Sequence, residues 1–333
     1  MKSFVQLFLA RNKEFYRDKG SLSWAFILPI LIIAGCAFAF SGNGQTLLTI
    51  AYYPSESQPT DLSSLDQKYS RWMAYENLEM AKQRLQQHQL DALIDQPSKT
   101  IWLNPQSSQS LLIGQLLKNN PNSYTIKELS GESIRYVDWV LPGVLGMNIM
   151  FGSLFGVGYV LVRYRKNGVL KRLQATPISA FTFLSAQVAS RLFLVVLSNA
   201  LIFIVSWYWL DLLFVGRGFD LLITAIIGAI AMIALALLIA CRTASEELAG
   251  GLLNAATWPM MFLSGIWFSL DDTPEAMQFV ANVLPLTHLV NAARDIMING
   301  ASLWDVMPNL LALMLSAAIC LLLAAKFFRW NTP

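Results

Sequence analysis

Charge is scarce in this sequence. Asp, Glu, Lys and Arg make up 14% of its 333 residues, against 55% hydrophobic residues. A soluble globular domain carries about 25% charged residues, so an ordinary water-soluble domain is not the reading. Histidine is nearly missing: His88 and His288 are the only two, and they lie too far apart in sequence to suggest a metal centre. There are three cysteines, Cys36, Cys241 and Cys320, each in or beside a separate apolar run. With no CxxC pair, neither a disulfide framework nor a zinc site is indicated, and small packing residues are the simpler reading. No G-x-x-x-x-G-K-[ST] occurs anywhere, so the chain lacks the loop that cradles ATP phosphates and carries no motor of that kind. No catalytic cluster appears, which makes a membrane enzyme the least favoured class. No resident cofactor and no nucleic-acid partner are indicated. The opening residues "MKSFVQLFLARNKEFYRDKG" are too charged for a cleavable signal peptide.

What the sequence has instead is long apolar runs. A helical span needs about 20 mostly apolar residues, and six stretches qualify: 21–41, 137–162, 180–210, 221–241, 248–270 and 306–327. Basic residues orient them. Lys2, Arg11, Lys13, Arg17 and Lys19 precede the first run, Arg242 follows the fourth, and Lys326 and Arg329 close the chain. The loop 271–305 sets Arg294 against Asp271, Asp272, Glu275, Asp295 and Asp305. The positive-inside rule then puts both termini in the cytoplasm, and an even number of spans agrees.

The expected fold is an all-α polytopic membrane protein with six transmembrane helices and an α/β extracytoplasmic domain inserted between the first and second spans. Residues 1–20 read as a cytoplasmic amphipathic helix at the inner membrane surface, with Phe4, Leu7, Phe8 and Phe15 among the cations. Residues 21–41 are the first span, 42–136 the inserted domain, and 137–330 a five-helix transmembrane domain. Within 42–136, "LLTIAYYP", "LDALIDQP" and "KTIWLNP" read as strands. Residues 61–89 read as one or two helices, and "SSQSLLIGQLLKNNP" as a helix with a Ser cap and a Pro stop.

The segment "RYRKNGVLKRLQATPIS", Arg163 to Ser179, separates the second and third spans with five cations and no acid. Part of this charge keeps the loop cytoplasmic. Its internal pattern says more. Val169, Leu170 and Leu173 fall at helical spacing, with Lys171 and Arg172 on the other side. Asn167-Gly168 starts a turn, and Pro177 closes the segment by biasing Thr176 away from helix. A short amphipathic helix held between two spans can transmit a push.

This stretch resembles the loop after the second span of ABC-2-type transporter permeases, which runs Arg-Glu-Arg, Gly-Thr-Leu, Thr-Pro. A second stretch, "FLSGIWFSLDDTPEAMQFVANVLPLTHLVNAARDIMING", is similar to the family's Phe-Leu-Ser-Gly start, Asn-Pro-Leu-Thr core and Arg-containing helix, with Leu284 in place of the Asn. The resemblance covers nearly the whole chain. It implies a permease subunit of a drug- or multidrug-type exporter in a bacterial inner membrane, moving an amphipathic drug, lipid or peptide outward. It also implies a separate ATPase subunit carrying ATP and Mg, and a second permease, identical or paralogous, within membrane lipid. Residues 163–178 would be the coupling helix seated in the ATPase, through Arg163, Arg165, Gly168, Leu170, Arg172, Leu173, Thr176 and Pro177. Residues 271–302 would be an external re-entrant hairpin near the exit, with Ser264, Gly265, Pro285, Thr287, His288 and Arg294 around it. One departure stands out: acids of the family's stretch are replaced here by Tyr164 and Lys166, with Glu14 a candidate substitute at the ATPase.

Intramembrane polar residues are pathway candidates by default. Arg191 lies about 16 Å into the third run and is read as snorkelling or ion-paired, with Asn199 and Asn254 as further candidates. Gly143, Gly146, Gly152, Gly156 and Gly158 suggest a close-packing face, with a dimer contact as one use. Trp207–Trp209 suit an interface belt, while Trp258 and Phe262 are candidates for lining a substrate cavity. An ATP-independent transporter, or a membrane scaffold or sensor using the external domain, is the alternative. Apart from Arg191, the spans lack the charges such a transporter needs.

Overall fold

The computed structural model describes residues 2–39, 48–54, 70–86, 90–118, 124–131, 134–175, 179–241, 243, 245–268, 270 and 273–327. The chain divides into two compact units, Met1–Ala37 with Val137–Pro333, and Phe38–Tyr136.

The smaller unit is a five-stranded sheet with helices. Its strands are β1 (Leu48–Tyr53), β2 (Ser70–Ala74), β3 (Ala92–Asp95), β4 (Thr100–Leu103) and β5 (Thr125–Glu128), in the order β2-β1-β3-β4-β5. Only β3 and β4 pair antiparallel, with Ile94 opposite Ile101. Successive side chains of a strand point to opposite faces, and the two faces build two cores. Ile50, Ile94, Ile101 and Leu103 meet Ile113 and Leu117 of α4 (Ser108–Lys118). Ala51 and Leu93 meet Ala81 and Leu85 of α3 (Leu78–Gln86) on the other. The helix starts are fixed by side-chain caps. Asn77 Oδ1 accepts from the Glu79 and Met80 amides at 3.0 and 3.3 Å, and Ser107 Oγ accepts from the Ser110 amide at 3.3 Å. The stretch expected to be helical around Trp72 is instead strand β2. It pairs parallel with β1, Trp72 beside Ile50, and this long-range pairing overrides a short helical pattern. The part of that expectation covering 61–69 lies outside the described residues.

The larger unit is helical. It opens with α1 (Lys2–Arg17) and α2 (Lys19–Ala39). The second apolar run is α5 (Tyr136–Ser153), a π-helical segment (Leu154–Tyr159) and α6 (Val160–Lys166). Then follow α7 (Val169–Gln174), α8 (Ala180–Leu210), α9 (Gly218–Ala240), α10 (Glu246–Leu263), α11 (Glu275–Val283), α12 (Pro285–Asn299) and α13 (Met307–Phe327). Among the described residues four helices are long and apolar enough to cross a membrane: Tyr136–Lys166, Thr182–Leu210, Gly218–Ala240 and Met307–Phe327. Two expected spans fall outside that set. Ala25–Phe38 is a shorter apolar helix, and α10 is diluted by Glu246, Glu247 and Asn254.

Helix α9 is the hub, packing against α13, α12, α8 and the π-helical segment. Its small residues allow close approach: a Cβ on Gly228 would overlap the side chain of Leu289 on α12. The glycine face of the second run packs within the chain. Gly143 lies against Ile266, Gly146 against Val290, Gly152 against Val195 and Gly158 against Leu253. Pro285 occupies the first turn of α12, where no amide donor is missed, and Gly300 ends it at φ 67°.

Candidate functional site

The basic stretch splits in two. Its first half is held inside the helical unit. Arg165 is buried, and its guanidinium reaches the carbonyl end of α9: Nη1 donates to Ala240 O at 2.9 Å and Thr243 O at 2.6 Å, and Nη2 to Cys241 O at 3.3 Å. A helix C-terminus leaves carbonyls without intrahelical donors and carries partial negative charge, so a cation there is favoured. Arg165, expected at the ATPase, is instead a clamp between α6 and α9.

The neighbours of Arg165 find their acids on other helices. Glu14 of α1 accepts from Arg163 at 2.9 Å, from Arg11 at 2.7 Å and from the Tyr164 hydroxyl at 2.5 Å. Arg11 also donates to Tyr164 Oη at 3.2 Å and to Gly156 O at 3.1 Å. Partial burial pushes the Glu14 carboxyl upward, but these donors outweigh it, Tyr164 first and then the Arg11 and Arg163 charges, and the group lies below its ordinary value. Glu246, in the first turn of α10, accepts from the Tyr159 hydroxyl at 2.8 Å and sits 3.6 Å from Lys166. Glu14 is thus an internal partner of the basic stretch.

The second half turns outward. Gly168 adopts φ 66°, which only glycine takes at no steric cost, and α7 begins there. Lys171 and Arg172 on α7 are exposed, and Arg172 donates at 3.4 Å to Asn167 O. Leu170 and Leu173 lie on α7, while Thr176 and Pro177 lie outside the described residues.

Helix α1, expected to lie on a membrane surface, docks along α8. Ser190 Oγ donates to Asn12 Oδ1 at 2.7 Å, the Phe8 and Phe193 rings lie 6.0 Å apart, and the Arg191 guanidinium stands 5.4 Å from the centre of Phe15. Val5, Leu9 and Tyr16 remain exposed on its other side. Arg191 neither snorkels nor pairs with an acid among the described residues: its Nε donates to Gly152 O of the second run.

At the opposite end of α9, the Ser264-to-Arg294 motif closes on itself. Gly265 turns the chain at φ 68°. Arg294 Nη2 donates to its carbonyl at 2.8 Å, and the guanidinium stacks 4.0 Å from the Trp139 ring. Thr287 Oγ1 donates to buried Ser264 Oγ at 3.1 Å. His288 bridges Asn309 of α13 and Asn282 O, at 2.9 and 2.8 Å. These five residues tie α5, α12 and α13 to the end of α10, while Pro285 only starts α12. Asn199 and Asn254 spend their amide donors on Val195 O and Gly250 O of their own helices.

A family model for ABC-2 family transporter proteins matches residues 19–326. The chain belongs to this ABC-2 family. It is 28% identical over 188 residues to the linearmycin resistance permease protein LnrN of Bacillus subtilis (strain 168), covering 55% of this chain and 48% of LnrN. It is 23% identical over 216 residues to the probable multidrug ABC transporter permease YbhS of Escherichia coli (strain K12), covering 62% and 57%. It is 26% identical over 191 residues to the inner membrane transport permease YhhJ of the same strain, covering 55% and 49%. The match thus spans about half the length of these ABC-2 relatives, with shares of 48%, 57% and 49%.

The sequence reading missed Arg11, Tyr159 and Glu246. The available signal was the acid-free basic stretch itself, since so many cations near a bundle end call for carboxylates from other helices.

Proposed function

We propose that this chain is the permease subunit of an ATP-driven exporter in a bacterial inner membrane. The observation that carries the reading is α7: in an ABC-2 family chain, a cationic helix is held out from a braced helical bundle. Six spans would be α2, the run from α5 to α6, α8, α9, α10 and α13, with both termini cytoplasmic and the sheet unit outside. ATP and Mg would act on a separate ATPase subunit, consistent with the missing phosphate loop in this sequence. The exposed cations of α7 suit an acidic groove on that subunit. Closure of the ATPase would push α7, and the push would pass through Arg165 into α9 and on to α12 near the exit. Substrate would be an amphiphile, in keeping with the linearmycin-resistance and multidrug names of LnrN and YbhS.

A second permease, identical or paralogous, would cover α10. Its Leu248, Leu252, Trp258 and Phe262 are exposed, as are Gly251 and Asn254, and a Cβ on Gly250 or Gly251 would meet nothing within 4 Å among the described residues. A surface of small residues and an amide suits helix contact better than lipid.

The test is co-purification of the chain with candidate ATPase subunits from its own cell, wild type against Gly168→Pro and Leu170→Asp. An ATPase retained by wild type and lost with either folded variant supports the exporter. If no ATPase binds, or binding ignores α7, the reading fails at its motor and an ATP-independent role takes its place.

A further inference from the structure

The second apolar run is not one uniform helix. Between α5 and α6 it widens into the π-helical segment Leu154–Tyr159. Such a turn holds one extra residue and recurs at functional sites. It needs outside donors for the carbonyls that its wider winding leaves over.

Two arginines supply them. Arg191 Nε of α8 donates to Gly152 O, at the entry of the segment, and Arg11 Nη2 of α1 donates to Gly156 O inside it at 3.1 Å. Gly156 leaves the space: a Cβ there would overlap the Arg191 guanidinium. The Phe15 ring stands 5.4 Å from Arg191. No carboxylate pairs with Arg191 among the described residues, so its charge is met by a helix carbonyl and a ring. A cation within an apolar bundle is costly, and a purely structural contact here would be made more cheaply by an apolar side chain.

We propose that Arg191, assisted by Arg11, is a positioning residue that holds the second run in its π-wound register and thereby sets the direction in which α6 and α7 leave the bundle. One extra residue rotates everything after it by about 100° relative to a continuous α-helix. Residues 163–166 make all their contacts in that rotated register. Arg165 reaches the end of α9, Tyr164 reaches Glu14, and Lys166 reaches Glu246. Closing the turn to α would swing each of them off its partner. Because α1 carries Arg11 and Phe15, a displacement of α1 releases the same lock. The inference goes beyond the exporter reading and does not need it, since the register is a property of the chain alone.

The test is a distance measurement between spin labels on the full chain in lipid nanodiscs, with the three native cysteines replaced. Labels go on Lys166→Cys, after the π segment, and Leu322→Cys on α13; both positions are more than half exposed. Rotating a side chain by about 100° on a helix some 10–12 Å wide moves its tip by about 8 Å. Wild type should give one distance. Arg191→Met should add a second population displaced by roughly that amount, and deletion of Phe155, which removes the extra residue and so lets the run wind as α without rotating residues 163–166, should keep the wild-type distance and abolish the second population in the Arg191→Met background. Should Arg191→Met not be recovered folded, Arg191→Lys keeps the charge without the guanidinium and should show a smaller second population. A folded Arg191 variant whose only change is a lower Tm, with the wild-type distance kept, overturns the proposal. So does an Arg191→Met second population that persists unchanged when Phe155 is also deleted.

Discussion

Arg165 and Arg172 belong to one basic run and look alike in sequence, yet the fold uses them in opposite ways. Arg165 is buried and spends its donors on the carbonyl end of α9. Arg172 is exposed and touches little. The dividing point is Gly168, where a left-handed backbone turns the chain out of the bundle. Before it, cations find acids and carbonyls on α1, α9 and α10. After it, Lys171 and Arg172 stay exposed. Positive charge in this basic run is therefore two populations, one that builds the end of the bundle and one that stays on the surface.

Substitutions on the two sides of Gly168 should separate sharply. The largest effect is expected for Arg165→Met, which orphans carbonyls of α9 and breaks charge-assisted hydrogen bonds worth about 1.5–3 kcal/mol each. Thermal unfolding in detergent should show a loss of about 3 kcal/mol or more, and an unchanged Tm would mean that the clamp is not a structural element. Next comes the double reversal Lys171→Glu with Arg172→Glu. Stability should stay within about 0.5 kcal/mol, as for other surface changes, while ATPase capture weakens roughly ten- to hundredfold, and more so at low salt, where surface charge counts most. If capture is unaffected, the partner's groove is not acidic.

A smaller effect tests Glu14 by pH. Its carboxyl lies below its ordinary value in the folded protein, so its stabilising share is present above the unfolded value near 4.5 and is lost as pH falls through the folded value. Tm followed from neutral pH downward should fall for wild type in the window below about 4.5 and fall less for Glu14→Gln. Parallel curves would remove Glu14 from the brace. The smallest effect belongs to Lys166→Ala. Its pair with Glu246 is 3.6 Å long with the lysine more than half exposed, and exposed pairs contribute about 0–1 kcal/mol. A loss well beyond that would move the boundary between the two populations one residue.

Much of the helical unit was legible in advance because apolar runs are local. Ser179 and Ser245 accept from the Thr182 and Leu248 amides at 3.2 and 3.1 Å, local caps that the sequence reading did not single out. Gly168 and Pro285 stood where their backbone chemistry predicts. The misses share one cause. β2 exists through pairing with β1, and Arg165 is spent on the carbonyl end of α9. Each depends on residues far away along the chain. The π-helical turn was invisible for the same reason, since its carbonyls are met by α1 and α8.

By itself the sequence determined the class of this protein. Apolar length calls for a membrane, and the two motifs named the ABC-2 family that the family comparison bears out. Only the tertiary structure decided which charges are spent inside. An arginine is the same residue whether it caps a neighbouring helix or faces solvent, and what distinguishes the two is the set of carbonyls and carboxylates that packing brings within about 3 Å of it.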